Sequence, residues 1–158
     1  MSKAKTMHAR DAISASLAEC YITIDGNRYK FMQAISLEAK FNKTKSKIPI
    51  LGRTGKGNKS TGWEGTGTAK FYYNTSIFRK ILKRYKETGE DIYFDMQTVN
   101  EDPTSRVGRQ TVILRDCNID SGVLAKFAAG EDYLTEDMDF TFEDFELPEE
   151  FDMLEGMV

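Results

Sequence analysis

The chain has 158 residues, of which 40% are apolar and 30% charged, and its formal net charge is −3. This length suffices for one domain with a hydrophobic core. The sequence contains no apolar run long enough for a transmembrane helix and no N-terminal secretory signal, so we expect synthesis in the cytoplasm.

The modest net charge hides a strong asymmetry along the chain. Residues 1–86 contain 18 Lys and Arg against 5 Asp and Glu, whereas residues 87–158 contain 4 against 20. Such asymmetry is typical of a nucleic-acid-binding arm or an acidic tail, or of copies that associate with the basic part of one on the acidic part of the next. Head-to-tail association of the second kind generates rings or filaments.

The first elements are predicted to be strands. CYITIDGNRYKF, residues 20–31, alternates apolar and polar residues around a turn signal at Asp25-Gly26-Asn27, the pattern of a β-hairpin. QAISLEAKFNK, residues 33–43, continues the alternation. One whole face of this strand is polar and must therefore be in contact with water; it includes Ser36, Glu38 and Lys40.

A basic bend is expected next, at residues 42–47, before the glycine-rich stretch LGRTGKGNKSTGWEGTGTAK at residues 51–70. This stretch is close to the phosphate-binding pattern G-x-x-x-x-G-K-[ST], but Asn58 stands where the lysine belongs, and a strand follows where a helix is required. Nucleotide binding is therefore disfavoured. We expect residues 51–70 to be poorly ordered in a free subunit and to become ordered against a neighbour's acidic surface.

A helix and further strands complete the chain. An apolar stripe of helical period precedes Gly89 and consists of Ile77, Phe78, Ile81, Leu82 and Tyr85. The opposite, basic face is either solvated or a docking surface for an acidic partner. Residues 91–99, 109–118 and 138–145 alternate as strands. The layout predicts a mainly β fold, an antiparallel β-sandwich or half-barrel with one flanking α-helix.

No constellation of residues indicates catalysis, so an enzyme is the least favoured class, and no cofactor is expected. His8 is the sole histidine and is remote in sequence from any acid or nucleophile cluster. Cys20 and Cys117 are far apart and lack C-x-x-C spacing, which argues against a metal or redox site. Trp63 could stack on a base or sugar, or fix the loop against a neighbouring subunit.

Several motifs together resemble a known family. GTGTAKFYY at residues 65–73, the helix start TSIF and DFTFEDFELP at residues 139–148 resemble the tail tube proteins of contractile-tailed phages, in the branch found in defective prophages and phage-tail-like bacteriocins. The segments IPILGR, TGKGNKSTG and RDCNIDS also fit that family's pattern. The likeness spans roughly residues 15–150.

The resemblance implies a single tail tube domain over residues 1–158, with an N-terminal arm (1–15), an inter-subunit loop (42–65) and an acidic C-terminal segment (131–158). Six subunits would close into a ring with a continuous β-barrel, and rings would stack into a hollow tube inside a sheath. Expected partners are further copies of the chain and the sheath, baseplate and tail-terminator proteins. DNA would be passing cargo in a phage, and the target membrane would be met only by the assembled particle.

Three groups of residues are assigned to surfaces on this basis. Inter-subunit or inter-ring contacts are expected at the basic and aromatic positions Lys43, Lys45, Lys47, Arg53, Lys56, Lys59 and Trp63. Ser36, Glu38 and Lys40 are expected to face the lumen. Arg79, Lys83 and Arg84 are expected to face the sheath. The alternatives are a nucleic-acid-binding β-barrel and the tube protein of a related secretion system.

Overall fold

The structure is a computed structural model that describes residues 5–158. Over this range the chain forms eight strands, one α-helix and a short 3-10 turn at Ala9–Asp11. The strands are β1 (Ala18–Ile24), β2 (Asn27–Lys30), β3 (Ala34–Ile48), β4 (Gly57–Tyr72), β5 (Phe94–Glu101), β6 (Arg109–Gly122), β7 (Thr135–Phe142) and β8 (Asp144–Glu149), and the helix is α1 (Ile77–Thr88). Within the described range, no helix is both long and apolar enough to cross a membrane. The prediction of a mainly β chain with one helix is confirmed.

The chain divides into two compact units. The first unit comprises residues 5–32, 94–115 and 145–158, and its strands pair in the order β2-β1-β5-β6, with β8 also pairing β6. The second unit comprises residues 33–93 and 116–144, and its strands pair in the order β6-β7-β4-β3. Strand β6 contributes its first part to one unit and its last part to the other.

Two elements follow directly from local sequence. Asp25 and Gly26 both have positive φ, 50° and 78°, which is the conformation of the tight turn that joins β1 to β2. Helix α1 ends at Thr88 and is capped by Gly89, whose φ of 71° suits a residue without a Cβ atom. Its apolar stripe buries Phe78 and Ile81, and the Phe78 ring lies 5.3 Å from that of Phe71 on β4. The predicted hairpin and helix are confirmed.

The prediction of a bend and a loop between residues 42 and 65 is wrong, because two strands occupy most of this range. Strand β3 runs without interruption to Ile48, and β4 starts at Gly57, so the two form one long hairpin with its turn at residues 49–56. A shift of register between Thr44 and Lys45 accommodates an extra residue in β4. Glycines in this stretch lower β propensity, but backbone pairing with an alternating neighbour overrides that local preference.

The glycines of the GTG motif serve close packing in the core of the second unit. Gly65 lies opposite Phe142 and Gly67 opposite Phe140 in the β4–β7 pair. A Cβ atom at Gly67 would lie 2.3 Å from the Phe140 ring, and one at Gly65 would lie 2.4 Å from the Phe142 ring. Both rings are buried. The glycines therefore make room for two aromatic rings that lie directly over the β4 backbone.

The acidic end of the chain forms two strands where one was expected. Residues 138–145 were predicted as the final strand, but β7 ends at Phe142 and β8 begins at Asp144. Strand β8 pairs with β6 and is exposed along its whole length. Residues 123–134 contain no strand or helix and are irregular.

The arm expected at residues 1–15 is anchored over its described part; residues 1–4 lie outside the described residues. The Asp11 carboxylate accepts hydrogen bonds from the Arg106 guanidinium, at 2.7 and 3.1 Å, and from the Arg106 backbone N–H. Ser105 donates to the Asp11 carbonyl oxygen, and the Ser14 N–H donates to Asp102. These bonds fix residues 11–14 against the β5–β6 connection.

We predict that Gly67→Ala destabilises the protein, whereas Gly62→Ala does not. A methyl group at Gly67 must displace the buried Phe140 ring, a rearrangement that costs about 1–3 kcal/mol. A Cβ atom at Gly62, on the same strand, meets nothing within 4 Å. Chemical denaturation of both variants measures the difference, and equal stabilities would contradict the packing role of Gly67.

We predict that the benefit of the Asp11 carboxylate depends on pH. Hydrogen bonds from Arg106 hold the pKa of Asp11 well below the ordinary value of about 4. The stabilisation is therefore complete above that ordinary value and declines as the pH falls below it. Asp11→Asn should lower the free energy of unfolding by a constant amount near neutral pH and by a decreasing amount in acid. A difference that is the same at every pH would contradict this.

Candidate assembly surfaces

One face of the second unit is polar across three adjacent strands. Each expected lumen residue of β3 lies opposite a polar residue of β4: Ser36 opposite Lys70, Glu38 opposite Thr68, and Lys40 opposite Thr66. All three expected residues are exposed, and Lys40 lies 3.4 Å from Glu38. The structure thus places Ser36, Glu38 and Lys40 on one surface with polar neighbours.

The polar face continues onto β7 and the end of β6. Asp139 lies opposite Thr68, accepts a hydrogen bond from its hydroxyl at 3.0 Å and accepts another from Ser121 at 3.1 Å. Some of these side chains line a shallow cavity of about 300 Å³, and Asp120 lines it as well. The face carries more acids than bases: Glu38, Asp120, Asp137 and Asp139 against Lys40 and Lys70.

The β3–β4 hairpin carries the expected contact residues. Its six basic residues at these positions are all exposed, and within residues 5–158 none of them forms an ion pair: Lys43, Lys45, Lys47, Arg53, Lys56 and Lys59. Trp63 stacks on Phe41 with ring centroids 4.4 Å apart and lies 6.2 Å from the Phe142 ring. Trp63 is therefore positioned by its own chain, with part of its ring still exposed.

Two of the expected sheath-facing residues are on the outer side of α1. Lys83 lies 3.9 Å from Glu87, and Arg84 lies 2.9 Å from Glu90. Their side chains are 70% and 42% exposed, so both can reach a partner. Such exposed ion pairs contribute little to the stability of the chain itself.

The expectation that Arg79 faces the sheath is corrected by the structure, because the Arg79 side chain packs against its own chain. Only 19% of the side chain is exposed, and it binds Glu136, which is 4% exposed, at 3.0 Å. It also donates to the Val123 carbonyl oxygen at 3.1 Å and lies over the Tyr73 ring at 4.4 Å. In the first turn of α1, Arg79 faces β7 instead of solvent. We therefore assign Arg79 to the internal anchoring of the helix.

Two further features have no direct signal in the sequence. Arg115 binds both Asp95 and Glu146, and Arg109 binds Glu101, so these ion pairs join neighbouring strands of the first unit. Such pairs depend on strand register, which periodicity alone does not fix. Phe127 is 93% exposed in the irregular segment 123–134, where an apolar residue without period predicts neither burial nor exposure.

The arrangement offers little for chemistry. Burial raises the pKa of the Cys20 thiol to about 11, which disfavours the reactive thiolate. Cys117 is buried, and His8 is exposed. Within the described part of the chain no group of His, Cys, Asp and Glu has the arrangement of a metal site. What the molecule presents is a polar sheet face, a basic hairpin and a basic helix face.

Comparison with known proteins agrees with this description. A family model described as phage tail tube protein matches residues 5–149. The chain belongs to the phage tail tube protein family. It is 38% identical over 143 residues to the phage-like element PBSX protein XkdM of Bacillus subtilis, a match that covers 90% of this chain and 95% of XkdM. It is 39% identical over 144 residues to the uncharacterized protein YqbM of the same organism, covering 91% and 95%.

Solved structures share the fold at low identity. A chain of the six-fold symmetrised anti-feeding prophage baseplate superposes with a TM-score of 0.63 at 11% identity, covering 93% of this chain and 97% of that one. The SPP1 tail tube gives 0.63 at 11% identity, covering 89% and 81%. A chain of the PVC sheath-tube complex, an extracellular contractile injection system, gives 0.62 at 9% identity, covering 88% and 93%.

Family membership settles the class of protein. A phage tail tube protein is a structural component of a particle, so the expectation that the chain is not an enzyme is confirmed by the family and the fold. The resemblance to tail tube proteins predicted from the motifs is likewise confirmed.

We predict that Arg79→Met lowers the free energy of unfolding by about 3–5 kcal/mol, because it leaves the buried Glu136 carboxylate without its partner. Lys83→Met on the same helix should change stability by about 0.5 kcal/mol or less, because the Lys83–Glu87 pair is exposed. Equilibrium denaturation measures both values. A mild effect of Arg79→Met would show that the pair does not anchor the helix.

Proposed function

We propose that the chain is the subunit of the inner tube of a contractile tail, in which hexameric rings stack into a hollow tube. A sheath surrounds this tube and drives it through the envelope of the target cell. The observation that carries the proposal is the second unit's sheet, which is polar on one face across β3, β4 and β7 and packs apolar side chains of β4 and β7 on the other. The six-fold symmetrised baseplate and the sheath-tube complex each contain a chain with this fold, which supports the proposed hexamer and the proposed contact with a sheath.

The polar face is proposed to line the lumen. A sheet face that is polar over three strands must remain in water after assembly, and the interior of a hollow tube supplies water on that side. Ser36, Glu38 and Lys40 would then line the channel together with Thr68 and Asp139. The acidic excess of this face repels a polyanion, so DNA could pass through a phage tail without adhering to the wall.

The open edge of the second unit's sheet supports ring closure. Strand β3 is at the end of the strand order and pairs only with β4 within the described residues. A long unpaired edge attracts pairing with another chain, and closure into a ring removes such edges. A barrel completed by six copies gives β3 a partner from the adjacent subunit.

The hairpin and the helix are proposed to make the other contacts. The exposed basic side chains of the hairpin suit an acidic surface on a neighbouring subunit or ring, with Trp63 contributing apolar contact. Lys83 and Arg84 on the exposed side of α1 suit an acidic sheath surface. Baseplate and tail-terminator proteins would contact the two ends of the tube. The chain would be made in the cytoplasm and assembled into the particle there.

Assembly of the purified protein tests the proposal. We predict that negative-stain micrographs of the wild-type protein show six-fold rings or tubes. The triple variant Lys43→Glu, Lys45→Glu, Lys47→Glu should reduce the yield of tubes at moderate salt about tenfold, because reversed charges meet an acidic neighbour.

A matched variant with the same change of charge, Lys80→Glu, Lys83→Glu, Lys86→Glu, places the reversal on α1 and should form tubes but lose sheath binding. Normal tubes from the hairpin variant would show that the hairpin does not make this contact. A wild-type monomer that instead binds oligonucleotides in a salt-sensitive manner would favour a nucleic-acid-binding barrel.

A further inference from the structure

The β3–β4 hairpin is the largest concentration of uncompensated positive charge in the described chain. Residues 39–63 contain seven Lys and Arg and no Asp or Glu, and of the seven only Lys40 has an ion-pair partner. Three arginines of the first unit are compensated by acids of their own chain: Arg106 binds Asp11, Arg109 binds Glu101, and Arg115 binds Asp95. Six hairpin cations are therefore available to acidic groups of another molecule.

The same hairpin exposes apolar side chains between its charges. Phe41 and Trp63 form a stacked pair with exposed faces, and Ile48 and Ile50 are exposed near the turn. Leu51, in the turn, is fully exposed. A partner that fits this surface must combine acidic side chains with apolar ones.

Residues 145–158 offer that combination with the opposite sign. They contain five acids and no Lys or Arg. Phe145, Leu147 and Met153 are exposed among them. Strand β8 is exposed at every residue and pairs only with β6 within the described residues. This segment therefore combines exposed apolar side chains with acidic neighbours. Its strand, β8, has one unpaired edge within the described residues.

The acidity of this segment is only partly compensated inside the chain. Arg115 forms ion pairs with both Glu146 and Asp95, and Arg109 forms ion pairs with both Glu149 and Glu101. Each guanidinium is therefore shared between two carboxylates. Glu150 and Asp152 have no cationic partner within residues 5–158. An acidic excess therefore remains available to a second molecule.

We propose that the β3–β4 hairpin of one copy docks on residues 145–152 of a second copy. This proposal rests on the proposed function and identifies the surface on which the hairpin docks. The competing acidic segment, residues 123–134, also exposes apolar side chains but has two acids against Lys126. Residues 145–152 have four acids and no base, and are the better electrostatic match. Since donor and acceptor are different surfaces, each copy offers both, and the contact repeats head to tail.

Zero-length cross-linking of tubes tests the contact directly. Tubes are assembled from equal amounts of ¹⁵N-labelled and unlabelled protein and treated with a carbodiimide, which joins amines only to carboxylates in contact. We expect mixed-isotope peptides that join Lys43, Lys45 or Lys47 to Glu149, Glu150 or Asp152. Mixed-isotope links from these lysines to Glu131 or Asp132, or no mixed-isotope links from them at all, would overturn the proposal.

A charge exchange provides a second test that does not depend on cross-linking. The hairpin variant Lys43→Glu, Lys45→Glu, Lys47→Glu should regain most of its lost tube yield when Glu150→Lys and Asp152→Lys are added. The same two changes should not restore sheath binding to the variant reversed at Lys80, Lys83 and Lys86. Thermal unfolding of each variant confirms that the subunits are folded.

The two proposals fail in different ways. Wild-type tubes that form normally, with hairpin links elsewhere and no recovery by the charge exchange, would overturn the acceptor and leave the tube function intact. Wild-type protein that forms neither rings nor tubes would overturn both.

Discussion

Two backbone glycines determine how the second unit is built. Gly65 and Gly67 allow the Phe142 and Phe140 rings to lie directly over β4, and no other residue fits beneath them. Because side chains alternate along a strand, fixing the apolar side at these two positions fixes the opposite side as well. Thr66, Thr68 and Lys70 must then face away from the rings, toward the polar surface shared with β3 and β7. The polar face proposed as a lumen is thus a consequence of close packing in the core.

Charge is distributed differently in the two units, and the difference separates folding from assembly. In the first unit, basic side chains find acids across neighbouring strands, and Asp11 with Arg106 holds the described part of the N-terminal arm. In the second unit, Arg79 and Glu136 form a buried pair, whereas the hairpin cations other than Lys40 form no ion pair within residues 5–158 and lie at the surface. Compensated charges maintain a subunit. Uncompensated charges are what a subunit offers to another molecule, so the hairpin can take part in assembly without weakening the fold.

Sequence reasoning succeeded where a local signal determines the structure. The Asp25-Gly26 turn, the stripe of α1 and its end at Gly89 each depend on a few adjacent residues, and each was predicted. It failed where partners distant in sequence decide. Residues 57–64 look like a glycine loop, but pairing with β3 makes them strand, and Arg79 looks solvated on the helix but meets Glu136 of β7. The expected surface residues are exposed apart from Arg79 and the half-buried Arg84, because charged residues on an alternating strand or helix face seldom fold inward.

The strength of the proposed contacts follows from repetition. One exposed ion pair contributes only about 0.2–1 kcal/mol and is weakened by salt, so a single hairpin would hold a neighbour poorly. In the proposed ring of six copies the contacts would act together, and each later contact would form within an already tethered pair of rings. Weak individual contacts allow a misplaced subunit to dissociate and re-associate before the ring closes. A tube that must be both accurately built and durable is therefore better served by many shared charges on a hairpin than by one extensive apolar interface.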